Sequence, residues 1–319
     1  MRKLTVVAAV ALAVGAAQAE PVFDPGALRG VGQFHHVRMV VSPDAAVMAW
    51  LSAAPSAEGQ IMASYSTDGQ QWGAPVRVSG PYPDWAVSDR GVSEFALARA
   101  SNGAYWLAWS AVTGGRATVP AGRGNADAGL GYVLSSADIW VSTSGDGRTW
   151  SAPQPLALAP AADRAPGIIE MPDGRVGIIW VSDREGKPAL SLTFAGAGRQ
   201  WSPAVRITPG VSDHYQYDLA HVGPLFVPDR RGRLTLAWVS DDSGEPEVWT
   251  AFSADGRAWS AAVKVGSGAG DKGFVTIEQA ADGYDLYWSV QAGPDEQRWV
   301  SHSSDFATWS EPRLAPVGK

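Results

Sequence analysis

The chain of 319 residues has no cysteine. That excludes a disulfide framework, a zinc–thiolate centre and a cysteine nucleophile. Charge is sparse as well: 18% of residues are charged, and acidic groups prevail to a formal net charge of −7. With a pI near 5.2 the chain lacks the positive field of a broad nucleic-acid interface, so no nucleic-acid partner is expected. No apolar run is long enough to cross a bilayer, which leaves no membrane span. P-loop, helix-turn-helix and Gly-x-Ser-x-Gly signatures are missing too. Disorder is excluded by the 45% of apolar residues.

What the chain holds in excess is tryptophan: 15 residues, beside 36 glycines and 22 prolines. The first residues read apart from the rest. Met1-Arg2-Lys3 is a basic lead, residues 4–16 are apolar, and Ala17-Gln18-Ala19 is an A-x-A cleavage signal. Residues 1–19 are therefore expected to be a signal peptide, cleaved on export to the periplasm or the medium. Residues 20–319 are expected to form a single domain.

The tryptophans repeat. Ser66-Thr-Asp68-Gly69-Gln-Gln-Trp72, Ser144-Gly-Asp146-Gly147-Arg-Thr-Trp150 and Ser253-Ala-Asp255-Gly256-Arg-Ala-Trp259 are copies of one box. Ser303-Ser-Asp305-Phe-Ala-Thr-Trp309 lacks the glycine, and Ala195-Gly-Ala197-Gly198-Arg-Gln-Trp201 has lost Ser and Asp. Upstream, Trp50, Trp109, Trp180, Trp238 and Trp288 sit in apolar strand patterns, 22, 41, 21, 21 and 21 residues before their box Trp. Before these lie turn signals at Ser42-Pro-Asp44, Asn102-Gly103, Asp173-Gly174, Pro228-Asp229 and Asp282-Gly283. Each unit thus reads as strand A, hairpin, strand B, loop, strand C, box turn, strand D. Four antiparallel strands so repeated predict an all-β fold, a β-propeller of five four-stranded blades, with six as the alternative. The blades are expected at about 33–80, 92–158, 163–208, 213–266 and 272–316. Trp140, Trp249 and Trp299 recur on strand C, leaving only Trp85 and Trp106 outside the pattern.

The S-x-D-G-x-x-W segments resemble the Asp-box, or BNR repeat, of sialidase-like propellers. The box itself is structural: Ser and Asp side chains hold backbone N–H groups of the turn, and Gly takes a positive φ. In such propellers strand A lines the central channel, and the D-to-A and B-to-C loops share a top face opposite the boxes. The resemblance implies a substrate carboxylate gripped by three arginines, an Asp acid/base, and a Tyr nucleophile activated by Glu. The matching positions are Arg38, Arg90 and Arg164 for substrate binding, with Asp89 or Asp84 as acid/base. Tyr215 or Tyr217 matches the nucleophile, and Glu94 or Glu170 its activator. Trp85 and Asp241 are further candidate contacts on the loops. The family's Arg-Ile-Pro-type start is replaced here by His36-Val37-Arg38-Met39, and the last two units offer no Arg near the start of strand A.

A second constellation comes from counting back from the hairpins. Eight residues before Asp44, Asn102 and Asp229 stand His36, Glu94 and His221, with Ala165 and Phe274 in the other two units. Two imidazoles and a carboxylate are suitable metal ligands. Two functions are therefore expected as alternatives. One is an exported propeller acting on or binding glycans, or another small polar ligand on the top face, with no cofactor required. The other is a non-enzymatic periplasmic binding propeller with a His/Glu metal site on the channel axis.

Overall fold

The computed structural model describes residues 34–52, 60–79, 95–112, 117–118, 133–134, 137–156, 163–182, 184, 189–196, 200–207, 225–228, 232–240, 245–266, 270–292 and 295–316. Among them are strands and turns and no helix. The first sheet holds β1 (Phe34–Ser42), β2 (Ala45–Ser52), β3 (Gln60–Ser66) and β4 (Val76–Arg77), side by side in that order. β5 (Phe95–Arg99) and β6 (Tyr105–Val112) begin the second sheet. A two-stranded ribbon of β7 (Ala117–Thr118) and β8 (Val133–Leu134) interrupts it, and β9 (Ala137–Ser144) and β10 (Gln154–Pro155) complete it. The third sheet is β11 (Asp163–Glu170), β12 (Val176–Ser182), β13 (Ala189–Phe194) and β14 (Val205–Arg206). β15 (Leu225–Pro228), β16 (Leu234–Ser240), β17 (Glu247–Ser253) and β18 (Val263–Gly266) form the fourth. The fifth is β19 (Asp271–Gln279), β20 (Tyr284–Ala292), β21 (Asp295–Ser303) and β22 (Arg313–Leu314). The described residues thus form five four-stranded sheets, each an A–B–C–D meander of the kind expected of a propeller blade. The ribbon accounts for part of the insert that lengthens the second unit.

Contacts cluster the chain into two compact units, Met1–Ile168 and Ile169–Lys319, with the boundary inside β11. The first unit centres on Ala49, Ile61, Phe95, Leu107 and Trp109, with Trp140 and Trp150 packed against them. The second centres on Val239, Val248, Leu286 and Trp288, flanked by Trp299 and Trp309. The strand-B tryptophans are all buried, at 0–2% exposure. Cutting one back to Ala would cost roughly 3–5 kcal/mol. Their register explains the strand-C series: Trp109 lies directly opposite Trp140, Trp238 opposite Trp249, and Trp288 opposite Trp299. Trp106, outside the repeat, sits on β6 facing Ala98 and Thr143.

The box turns follow from their side chains. Oδ1 of Asp68, Asp146, Asp255 and Asp305 accepts the backbone N–H groups two and three residues on, at 2.7–2.9 Å. The serine Oγ accepts the N–H of the fourth residue at 2.8 Å in every one of these four boxes. That residue adopts a left-handed φ of 70°, 72° and 73° at Gly69, Gly147 and Gly256, and 62° at Phe306. A bulky side chain is strained there. Phe306 is nonetheless held, because its ring is buried against Tyr284 at 4.4 Å and Trp309 at 5.8 Å.

Strand A carries its own irregularity. β1 is bulged between His35 and Arg38, and β19 between Gly273 and Thr276. Counted back from Asp44 and Asp282, the two bulges occupy the same register. In β11, Ala165 stands within the same interval with a positive φ of 51°. An extra residue at this point turns the strand and re-aims the side chains beside it.

Candidate functional site

In every sheet the start of A, the end of B and the start of C lie at the end away from the boxes, and the candidate site residues cluster in sequence around those ends. Asp84, Trp85, Asp89, Arg90, Glu94, Tyr215, Tyr217, His221 and Asp241 fall outside the described residues, as does the side chain of His36. Arg38 and Arg164 are described. Glu170, the other candidate activator, closes β11 at its hairpin end. At about 3.3 Å per residue it stands on the order of 20 Å along the strand from Arg164, at the box end.

Arg38 follows the bulge of β1 and is half-buried. Its guanidinium carbon lies 5.8 Å from the centroid of the Phe95 ring at the start of β5, and Nη1 donates to Val37 O at 3.3 Å. Burial pushes its pKa below the ordinary value, and no carboxylate among the described residues offsets that. Arg164, the second residue of β11, is half-buried, and its Nε is enclosed with no hydrogen-bond partner among the described residues. Neither arginine is in an ion pair among those residues. A half-buried guanidinium lacking an anion is poorly solvated, and a planar carboxylate would meet its donors in bidentate fashion.

Other buried charges gather at the same strand ends. Asp163 and Lys272 are 0% and 1% exposed. Both stand ten residues before their hairpin aspartates, at the starts of β11 and β19. Nζ of Lys272 donates to Pro246 O at 2.6 Å, pinning the chain where it enters β17. The next residue, Glu247, is also buried: Oε1 accepts Lys264 Nζ at 2.9 Å, while Oε2 has no partner among the described residues. Asp138 is buried at the equivalent place in β9. Sequence reasoning did not single out Asp138 or Glu247. The signal was an acid two residues before the strand-C tryptophan, in Asp138-x-Trp140 and Glu247-x-Trp249.

The box end carries a different set of cations, and three arginines there are engaged. Arg175 stacks on Phe194 at 4.7 Å and donates to Asp255 O, and Arg233 stacks on Phe252 at 4.3 Å and donates to Asp305 O. Arg99 covers Tyr105 at 5.4 Å and pairs with Asp44 at 3.3 Å. These arginines join neighbouring sheets. Among the described residues no group of three His, Cys, Asp or Glu could hold a metal ion, and no helix is long and apolar enough to cross a membrane. His36, Glu94 and His221 lie outside that search.

Comparison of the sequence with protein-family models and with curated proteins finds no match. Solved structures do resemble it. A protein of unknown function from Dyadobacter fermentans DSM 18053 superposes with a TM-score of 0.53 at 17% identity, over 89% of this chain and 83% of that one. The α-L-arabinofuranosidase of Fusarium graminearum gives 0.53 at 16% identity, over 92% and 84%. The NanB sialidase of Streptococcus pneumoniae gives 0.51 at 11% identity over 85% of this chain, which spans only 59% of that sialidase. At such identities the likeness concerns the fold. With the all-β sheets described above, it makes this chain a β-propeller of the architecture found in sialidases and arabinofuranosidases.

Proposed function

We propose that this chain is an exported, five-bladed propeller that acts on glycans at the strand-start ends of its sheets, as an exo-glycosidase of sialidase type. The observation that carries the reading is the pair Arg38 and Arg164: half-buried guanidiniums on A strands, without a carboxylate partner among the described residues. Structural relatives include proteins named for cleaving an acidic sugar and others named for a neutral one. Two arginines without a carboxylate among the described residues favour the acidic sugar. Arg90 is the third member of the grip, Asp89 the acid/base, Tyr215 or Tyr217 the nucleophile, and Glu94 its activator. Trp85 and Asp241 contact the sugar beyond the carboxylate. No cofactor enters this chemistry. Export follows from cleavage after Ala19 and places the protein in the periplasm or the medium.

The test is hydrolysis of fluorogenic sialosides and arabinofuranosides by the mature protein, with Arg38→Met and Arg164→Met beside it. Sialoside turnover should fall roughly 10–100-fold in each variant, the worth of one charge-assisted pair. Turnover indifferent to both substitutions, or cleavage of arabinofuranosides alone, would refute the reading. Sialoside binding with no cleavage would leave the binding propeller in its place.

A further inference from the structure

We propose that the crevice at the box end of the first sheet is a second, non-catalytic subsite that takes a neutral sugar ring. A cleft of about 440 Å³ opens there between the first and second box turns, within the size range of small-ligand sites, about 300–1,000 Å³. Tyr65, Asp68, Gln71, Trp72 and Arg148 line it. The guanidinium of Arg148 lies 4.3 Å from the Tyr65 ring centroid. Among the described residues neither the Arg148 N–H donors nor the Tyr65 hydroxyl have a hydrogen-bond partner.

Comparison with the other joints shows what sets this one apart. The cross-strand register makes Tyr65, Phe194 and Phe252 equivalent, each one residue before the box serine position. It also makes Ala45 equivalent to Arg175 and Arg233. At those joints the hairpin arginine covers the aromatic ring and is tied to the carbonyl of the next box aspartate. At the first joint alanine stands in that place, and the ring is covered by Arg148 from the next box, whose donors meet no acceptor among the described residues. Among the described residues the first box also leaves one aspartate oxygen open, as the Asp255 box does with Ala258 in the threonine's place. Thr149 and Thr308 hydroxyls donate to Oδ2 of their box aspartates, at 2.9 and 3.1 Å. Gln71 stands in the threonine's place, and only Oδ1 of Asp68 is engaged.

The chemistry of the ligand follows. Backbone N–H bonds from Gln71 and Gln70 hold the Asp68 carboxyl below its ordinary range, so it is ionised at neutral pH. With Arg148 it gives the cleft no net charge, which disfavours an anion or a cation. Aromatic surface next to fixed donors and acceptors suits a ring with apolar C–H faces and hydroxyl edges. A neutral pyranose or furanose has both. The subsite does not depend on the activity proposed for the opposite strand ends.

The experiment is an NMR titration of the mature protein with arabinobiose, lactose and maltose, and with 3′-sialyllactose for contrast. It follows the Gly147 amide, the Arg148 Nε–H and the Trp72 indole N–H. At least one neutral disaccharide should shift all three signals. Its Kd should rise tenfold or more in Arg148→Ala and in Gln71→Thr, the latter restoring the hydroxyl that caps Asp68. Both variants should keep the wild-type thermal midpoint and any sialoside turnover. The proposal is overturned if no neutral disaccharide moves these signals up to its solubility limit. It is equally overturned if affinity is unchanged in both variants, or if only 3′-sialyllactose binds there. Loss of turnover in Arg164→Met reports on the other site and leaves this one untouched.

Discussion

Replacing Gly256 by alanine isolates how the box turn seats on the sheet beside it. The backbone there has a φ of +73°, and a Cβ would come within 2.7 Å of Cε2 of Phe194 and closer still to its Cζ. Two costs add. Left-handed backbone at a residue with a Cβ costs roughly 1–2 kcal/mol, and overpacking a filled site typically about 1–3 kcal/mol. Together they predict a loss of about 2–5 kcal/mol. Gly174 supplies the control, since its φ is +81° but nothing lies within 4 Å of its Cβ position. Gly174→Ala should therefore show the backbone cost alone. Urea denaturation of both variants, followed by tryptophan fluorescence, measures the difference through the midpoint at constant slope. A further Phe194→Leu change should return the steric part in the Gly256→Ala background and leave the backbone part. If Gly256→Ala is no more costly than Gly174→Ala, the seating of the box on Phe194 does not restrain the fold.

Acid should act through the boxes. The carboxyls of Asp68, Asp146, Asp255 and Asp305 are held below their ordinary range chiefly by the two backbone N–H groups each accepts. A depressed folded pKa stabilises above the unfolded value of about 3.9 and is lost as pH falls through the folded value. The thermal midpoint should thus be flat with respect to these groups above pH about 5 and drop below pH about 4, with Asp255→Asn dropping less; equal acid sensitivity in that variant would contradict the assignment. Lys272→Met should release the chain at the start of β17, because the Pro246 carbonyl loses its 2.6 Å donor, at a cost of roughly 1–3 kcal/mol. Hydrogen exchange at 247–250 should quicken about tenfold or more while the box at 253–259 stays protected, and uniform protection would refute it.

The meander was legible in the sequence because its signals are local. Asp-Gly turns, alternating apolar residues and the Ser-Asp-Gly-Trp box each act within a few residues, and each recurs, so an error in one unit is corrected by the others. Features that depend on a neighbouring strand or sheet were not legible. Phe306 looks like a defective box until Tyr284 and Trp309 are seen to enclose it. The strand-A bulges hide in ordinary residues, His35 to Arg38 and Gly273 to Thr276, and shift the register on which the metal constellation was counted. Of the arginines proposed to bind substrate, Arg164 stands at the start of β11 and Arg38 in the middle of β1, whereas Glu170 closes β11 at the box end. Buried Glu247 and Asp138 escaped notice because an acid in a strand reads as an exposed position until its surroundings are known.

The third sheet keeps its four strands although its box has neither the serine nor the aspartate: Ala195 and Trp201 still bridge, and Ser202 N–H still reaches Phe194 O at 2.9 Å. One copy of the motif can therefore decay without taking the unit with it. In a lineage of such chains the repeats can erode one by one while the architecture passes on intact. Shape then outlives sequence, and ancestry in this fold is better read from strand register than from residue identity.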